Sequence, residues 1–104
     1  MQLTIEEIRE LAAVNMSKSH SFEIGASYLI RTVTLHYTGR LVDVTDSDIR
    51  LECAAWIADT GRYSECLAEG TLNEIEPYPN GVCISRDCIV DFAQWPHPLP
   101  REVK

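Results

Sequence analysis

The triplet Asp59-Thr60-Gly61 follows an apolar run, Ala54-Ala55-Trp56-Ile57-Ala58, and that order can do one specific kind of chemistry. Two such triplets meeting at a dimer axis would bring two carboxylates close enough to share a proton and activate water. A site of that kind needs a small residue after the glycine and a downstream apolar segment ending in glycine to support the loop. Here Arg62 follows the glycine, and the candidate support, Ile89-Val90-Asp91-Phe92, contains none. A guanidinium beside the pair would also hold both carboxylates ionised. The triplet reads as a strand running into a turn, with Asp59 non-catalytic.

A second chemistry is anion binding. Thr-Gly-Arg occurs twice, at 38–40 and 60–62. In a turn, exposed backbone N–H groups beside a guanidinium can cradle a phosphate, while Trp56, Tyr63 or Tyr78 can stack on a base. Arg31 interrupts the apolar face of a strand, so it must reach a carboxylate such as Glu52 or Asp59, or an anionic ligand. Arg31, Thr38, Arg40, Trp56, Asp59, Thr60, Arg62 and Tyr63 form the candidate ligand-binding set. Each has a plainer reading taken singly. Thr-Gly-Arg is an ordinary turn, an arginine next to it is usually solvated or in a surface pair, and Trp56 can pack against a neighbouring subunit.

Other catalytic patterns are missing from the sequence. It has no Gly-x-Ser-x-Gly elbow, no His-Glu-x-x-His pair and no phosphate-binding Gly-x-x-x-x-Gly-Lys loop. His36 sits among strand residues and reads as a surface or interface position, and His97 lies between prolines. Cys53, Cys66, Cys83 and Cys88 lack Cys-x-x-Cys spacing and a neighbouring histidine, so they read as reduced, part-buried thiols. No cofactor and no metal are expected.

The elements that must position the candidate set follow from periodicity. Thr4 and Glu7 form a capping box, with Leu3 and Ile8 placed as a hydrophobic staple. Ile5, Ile8, Leu11 and Ala12 then make one apolar stripe, which predicts a helix over about 4–15. A polar connector follows, in which Phe22 and Ile24 return to the fold. From Tyr28 to Tyr37 the period is two, which predicts one long strand with Leu29, Val33, Leu35 and Tyr37 on one face. Leu41–Thr45, a turn at Asp46-Ser47-Asp48, and Ile49–Ala58 come next. Strict alternation there sets Ile49, Leu51, Cys53, Ala55 and Ile57 on the core face and leaves Trp56 on a surface.

Tyr63 and Leu67 at four-residue spacing, with Gly70 behind them, predict a short helical turn. A strand near Leu72–Ile75, a turn at 77–81 and a tight hairpin about Arg86-Asp87 complete the expected set. Prolines at 96, 98 and 100 hold the tail, 94–104, extended and anchored by Trp95 and Leu99. Ile5, Ile8, Leu11, Val33, Leu35, Leu41, Leu51, Ile57 and Ile84 are expected to share a single core.

The chain of 104 residues, 45% hydrophobic, fits one domain, 1–104, whose modest core would gain from self-association. Sixteen acidic against nine basic side chains give a net charge of −7, which opposes long-range attraction to duplex nucleic acid or an anionic membrane. No run is long and apolar enough for a membrane span, and the start, Met-Gln-Leu-Thr-Ile-Glu-Glu, lacks a secretory pattern. A cytoplasmic protein is expected.

A helix followed by short, strongly bent antiparallel strands, with Gly39 early in the second, resembles the Sm-like small β-barrel, here over about 27–93. Gly39-x-Leu41-x-x-Val44 with Asp48-Ile49-Arg50-Leu51 looks like the first Sm signature, and Val82–Val90 like the second. Arg50 stands where that family has asparagine, and Arg86-Asp87 where it has Arg-Gly, so its uridine pocket does not carry over. The segments "RTVTLHYTGRLVDV", "AAWIADTGRYSECL", "EIEPYPNG" and "HPLPREVK" resemble a family of small phage and prophage proteins. Some small phage barrels sequester the nucleotide second messengers of bacterial defence. The resemblance thus implies a non-enzymatic homo-oligomer that holds a small phosphorylated nucleotide in the host cytoplasm. The alternatives are a phage structural or interaction module forming a ring, and an Sm-like single-stranded RNA binder.

Overall fold

The computed structural model describes residues 19–104. The expected helix over about 4–15 lies outside the described residues. Within them the protein is mainly antiparallel β sheet with one short α-helix.

The expected long strand from Tyr28 to Tyr37 is instead two strands, β1 (Ser27–Thr32) and β2 (His36–Val44), folded into a hairpin that pairs Arg31 with His36. Thr32 makes the turn. Its N–H donates to the Leu35 carbonyl at 2.8 Å, and its hydroxyl both donates to that carbonyl and accepts from the Leu35 N–H. A hydroxyl that bonds backbone three residues away offers the chain an alternative to continuing the ladder. Val33, placed at the turn, is 77% exposed rather than part of the core.

Strand β3 (Asp48–Asp59) carries the second departure. Cys53 has φ +50°, and between the pairs Arg40–Glu52 and Thr38–Ala55 β3 advances three residues where β2 advances two. One extra residue is a bulge, and a bulge reverses the phase of every side chain beyond it. Ile49, Leu51 and Ala54 accordingly enter one apolar cluster with Tyr28, Ile30, Leu41 and Ile84. Ala55 and Ile57 enter another on the opposite side, with Leu29, Cys66, Leu72, Ile75 and Trp95. The single expected core is therefore two, one on each face. Neighbouring residues Leu29 and Ile30 are both buried for that reason.

The helix α1 (Tyr63–Glu69) lies over the second cluster and contributes Cys66; Gly70, in the left-handed region at φ +75°, ends it by donating to the Cys66 carbonyl. The tail closes the same side. Trp95 donates from its backbone to Ser27 and from its ring to Pro98, Leu99 packs on the cluster, and Lys104 exchanges two 3.0 Å hydrogen bonds with Ile75. On the first side Phe22 stacks on Phe92 with centroids 4.1 Å apart, whereas Ile24 remains 58% exposed instead of returning to the fold.

The sheet runs β4 (Glu74–Pro77), β3, β2, β1, β6 (Ile89–Gln94), and β5 (Val82–Ser85) joins the first half of β3. It does not close into the expected barrel. The expected hairpin about Arg86-Asp87 is a 3₁₀ turn, Arg86–Cys88, that sends β5 to β3 and β6 to β1. Arg86 fixes it: its N–H donates to Ser47, and its guanidinium donates to the carbonyls of Thr45 and Ser19, each at 2.8 Å. Among the described residues no helix is long and apolar enough to cross a membrane.

Candidate ligand-binding site

The first Thr-Gly-Arg is not a turn. It lies in the middle of β2, where Thr38 is fully buried beside Leu29 and Ala55 and its hydroxyl has no hydrogen-bond partner. Gly39 is pressed so closely on β3 that a methyl group there would stand 2.9 Å from Leu51 Cβ and 3.3 Å from Ala54 Cβ. Arg40 forms an ion pair with Glu52, directly across the ladder. The phosphate cradle expected at 38–40 has neither free N–H groups nor a free guanidinium, because a strand and not a turn uses those residues.

The second triplet does form a turn. Asp59 ends β3, and its Oδ1 accepts from the Gly61 N–H at 2.8 Å while Asn73 donates to Oδ2 and to the Asp59 carbonyl. This side-chain mimic of a backbone turn is what aspartate does at such positions. Gly61 has φ +68°, and Thr60 donates its hydroxyl to the Gly61 carbonyl. Arg62 precedes α1, is exposed, and makes no side-chain hydrogen bond or ion pair among the described residues. Tyr63 is 39% exposed, with its ring 5.7 Å from that of His36.

Arg31 reaches a carboxylate, but neither Glu52 nor Asp59. It makes a forked contact with Asp91 on β6, Nε lying 3.1 Å from each carboxylate oxygen and Nη2 completing the pair. The pair is half exposed, so it is a surface contact rather than a break in an apolar face. Register sets Asp91, Arg31 and His36 in one row across β6, β1 and β2, and Tyr63 stands against the His36 end. The hydrogen bond from Arg31 holds the Asp91 carboxyl below its usual range. Burial first, and then the Arg31 charge, lower the His36 pKa, while burial raises that of Tyr63. Burial alone pushes the Cys66 thiol up, which suits an apolar filler.

Trp56 is half-buried rather than displayed. It points away from Ile57 and His36, its ring N–H is buried without a partner, and its neighbour Tyr37 stacks on Tyr78. The structure therefore gathers Arg31 and Tyr63 with His36 and Asp91, next to the turn of Asp59, Thr60 and Arg62. Thr38, Arg40 and Trp56 belong elsewhere. A groove of about 460 Å³ between His20, Phe22, Arg86, Ile89, Val90 and Phe92 is lined by none of these eight, although Asp91, the carboxylate that holds Arg31, is on its wall. Asp91 and His36 escaped sequence reasoning because register alone connects them to Arg31, across 60 positions in the case of Asp91. Among the described residues no group of three or more potential metal ligands converges. Compared with protein-family models, with curated proteins and with solved structures, the chain matches none.

Proposed function

We propose that the protein is a non-enzymatic, self-associating binding module of the phage or prophage kind. The observation that carries this reading is a pair of open strand edges. Among the described residues β5 pairs only with β3 and β6 only with β1, and the 3₁₀ turn joins the two strands without laddering them together. Because Trp95 donates to Ser27, antiparallel alternation makes Leu29–Ala93 and Arg31–Asp91 the bonded pairs and turns the backbone groups of Phe92 and Gln94 outward. Unpaired edges on a small domain favour pairing with another copy. The finer, Sm-like reading is supported by the run of short antiparallel strands with Gly39 early in the second, in a sheet that stays open. Light scattering at micromolar concentration tests the assembly: a symmetric oligomer is expected, and a lone 11.7 kDa species would remove it.

The ligand attached to this reading is a small phosphorylated nucleotide, linear or cyclic, held intact as a sponge holds a signal of host defence. Arg62 supports it, an uncommitted cation beside a partly exposed tyrosine ring, whereas Arg31 and Arg40 are already paired with carboxylates. Arg62→Ala should weaken binding by about 1.5–3 kcal/mol, roughly ten- to hundredfold, without unfolding the protein. Mixing the protein with a nucleotide panel and identifying by mass spectrometry what it releases on heating is the direct test. Unaltered nucleotide supports the sponge. No shift in melting temperature with any nucleotide would leave the assembly module alone.

A further inference from the structure

The two ends of the sheet are finished differently. Among the described residues β6 pairs only with β1 and β4 only with β3, so each is an end strand. At the β6 end the backbone groups of Phe92 and Gln94 point outward. At the β4 end almost nothing is offered.

Register gives the reason. Tyr78 donates to the Ala54 carbonyl at 2.8 Å, and antiparallel alternation from that bond makes Trp56–Glu76 a bonded pair and Ile57–Ile75 a non-bonded one. The backbone groups of Ile75 and Pro77 therefore face away from β3. Pro77 has no N–H to present there, the position at which an end strand tolerates proline. Asn73, two residues before Ile75, gives its N–H to the Asp59 carbonyl at 2.9 Å. Ile75 thus carries the one N–H that β4 could give to a further strand, and Lys104 holds it. The Ile75 N–H donates to the Lys104 oxygen and the Lys104 N–H to the Ile75 carbonyl, each at 3.0 Å. Two residues that exchange both bonds form a bonded pair of an antiparallel ladder, so the tail sits where another strand would.

The tail is led there by its anchors. Trp95 and Leu99 pack on the second cluster, and the His97 ring meets the Leu67 carbonyl at 2.9 Å. These contacts carry the chain from β6, past the end of α1, to β4. Beyond Pro100 the side chains of Arg101, Glu102, Val103 and Lys104 are all exposed, so the backbone pair with Ile75 is what ties this stretch down.

We propose that residues 101–104 are an edge guard: by occupying Ile75 they stop a second copy from docking its open β6 edge on β4. A β4–β6 contact is head-to-tail, so it repeats from copy to copy and does not close as a simple pair. A short covering segment together with a proline is how small sheets blunt such an edge. The guard concerns an edge that the assembly reading does not use, and it acts whether or not the full chain associates through β5 and β6.

The test compares the full chain with a variant truncated after Pro100, which keeps Trp95, His97 and Leu99. Amide hydrogen exchange at low concentration should show loss of protection at Ile75 in the truncated chain and no change at Ile57, whose partner His36 is untouched. Sedimentation at equal micromolar concentration should then give the truncated chain the larger mean mass, with the Ile75 and Phe92 amides protected as that mass rises. Lys104→Gln, which keeps the backbone pair, should behave as the natural sequence. Lys104→Pro, which removes one of the two bonds, should move both readings as truncation does but by less, and it decides the matter if melting curves show the truncated chain unfolded. Unchanged exchange at Ile75, or an unchanged mass, would overturn the guard. So would a larger mass in which Ile75 stays unprotected, because that is apolar aggregation and not strand pairing. A full chain that remains an 11.7 kDa species would remove the assembly reading only, since the guard is read from the difference between the two chains.

Discussion

The two Thr-Gly-Arg triplets have the same residues and opposite structural roles. At 38–40 the glycine is a contact: its missing side chain lets β2 lie against Leu51 and Ala54. At 60–62 the glycine is a conformation: φ +68° lets the chain leave β3 and start α1. The threonines divide in the same way, one buried without a hydrogen bond and one bonded at a turn. Arg40 is neutralised by Glu52, and Arg62 is not paired among the described residues. A tripeptide therefore specifies no site by itself; what flanks it decides whether its backbone groups go to a ladder or to solvent.

The largest effect should come from Gly39→Ala. The new methyl would meet Leu51 Cβ at 2.9 Å, and a Cβ cannot swing aside as the end of a long side chain can, so β2 and β3 must separate. Overpacking of this kind costs about 1–3 kcal/mol, readable as a lower urea midpoint. Gly61→Ala should cost about 1–2 kcal/mol through backbone strain, and Gly61→Asn less, because asparagine tolerates the left-handed region. That rescue separates the two glycines: Gly39→Asn should be worse than Gly39→Ala. If asparagine rescues position 39, the contact explanation fails.

How far these roles could be read beforehand depended on whether a residue advertised its own conformation. The helix was legible because Tyr63 and Leu67 share a face and Gly70 ends it, and the turn after β2 because Asp46-Ser47-Asp48 are turn formers. The β1–β2 hairpin was hidden because Val33, Thr34 and Leu35 favour strands, and only the Thr32 hydroxyl folds them back. The bulge was hidden because a cysteine, not a glycine, occupies the left-handed region at position 53. That one residue divides the predicted core face into two. For the candidate site, the need of Arg31 for a carboxylate was readable, but the identity of Asp91 required knowing that β6 lies beside β1.

Thr38→Val sharpens the comparison with a smaller effect of the opposite sign. Valine keeps the shape and removes a buried hydroxyl that has no partner, so stability should stay within about 0.5 kcal/mol of the natural sequence or rise by up to about 1 kcal/mol. Thr60→Val removes a made hydrogen bond at an element end and should lower stability by about 0.5 kcal/mol. Equal losses at the two positions would mean that Thr38 finds a partner in solution.

The smallest effect is one of pH, and it belongs to the row beside the second triplet. Burial and the Arg31 charge lower the His36 pKa below 6.5, and Asp91 opposes the shift. Between that lowered value and 6.5 the unfolded chain binds more protons than the folded one, so stability falls as the pH drops through this window. Asp91 acts in a separate window. Its folded pKa lies below 3.8 through the Arg31 hydrogen bond, so its contribution is complete above 3.8 and is lost as the pH falls through the folded value. His36→Gln should flatten the first decline and leave most of the second, whereas Asp91→Asn should remove the second and widen the first, because the carboxylate that opposed the His36 shift is gone. Tyr63→Ala removes the ring that stands against the imidazole and should narrow the first window alone. Melting curves recorded from pH 8 to pH 3 distinguish the two. A Tyr63→Ala profile identical to that of the natural sequence would show that burial of His36 owes nothing to the turn at Arg62.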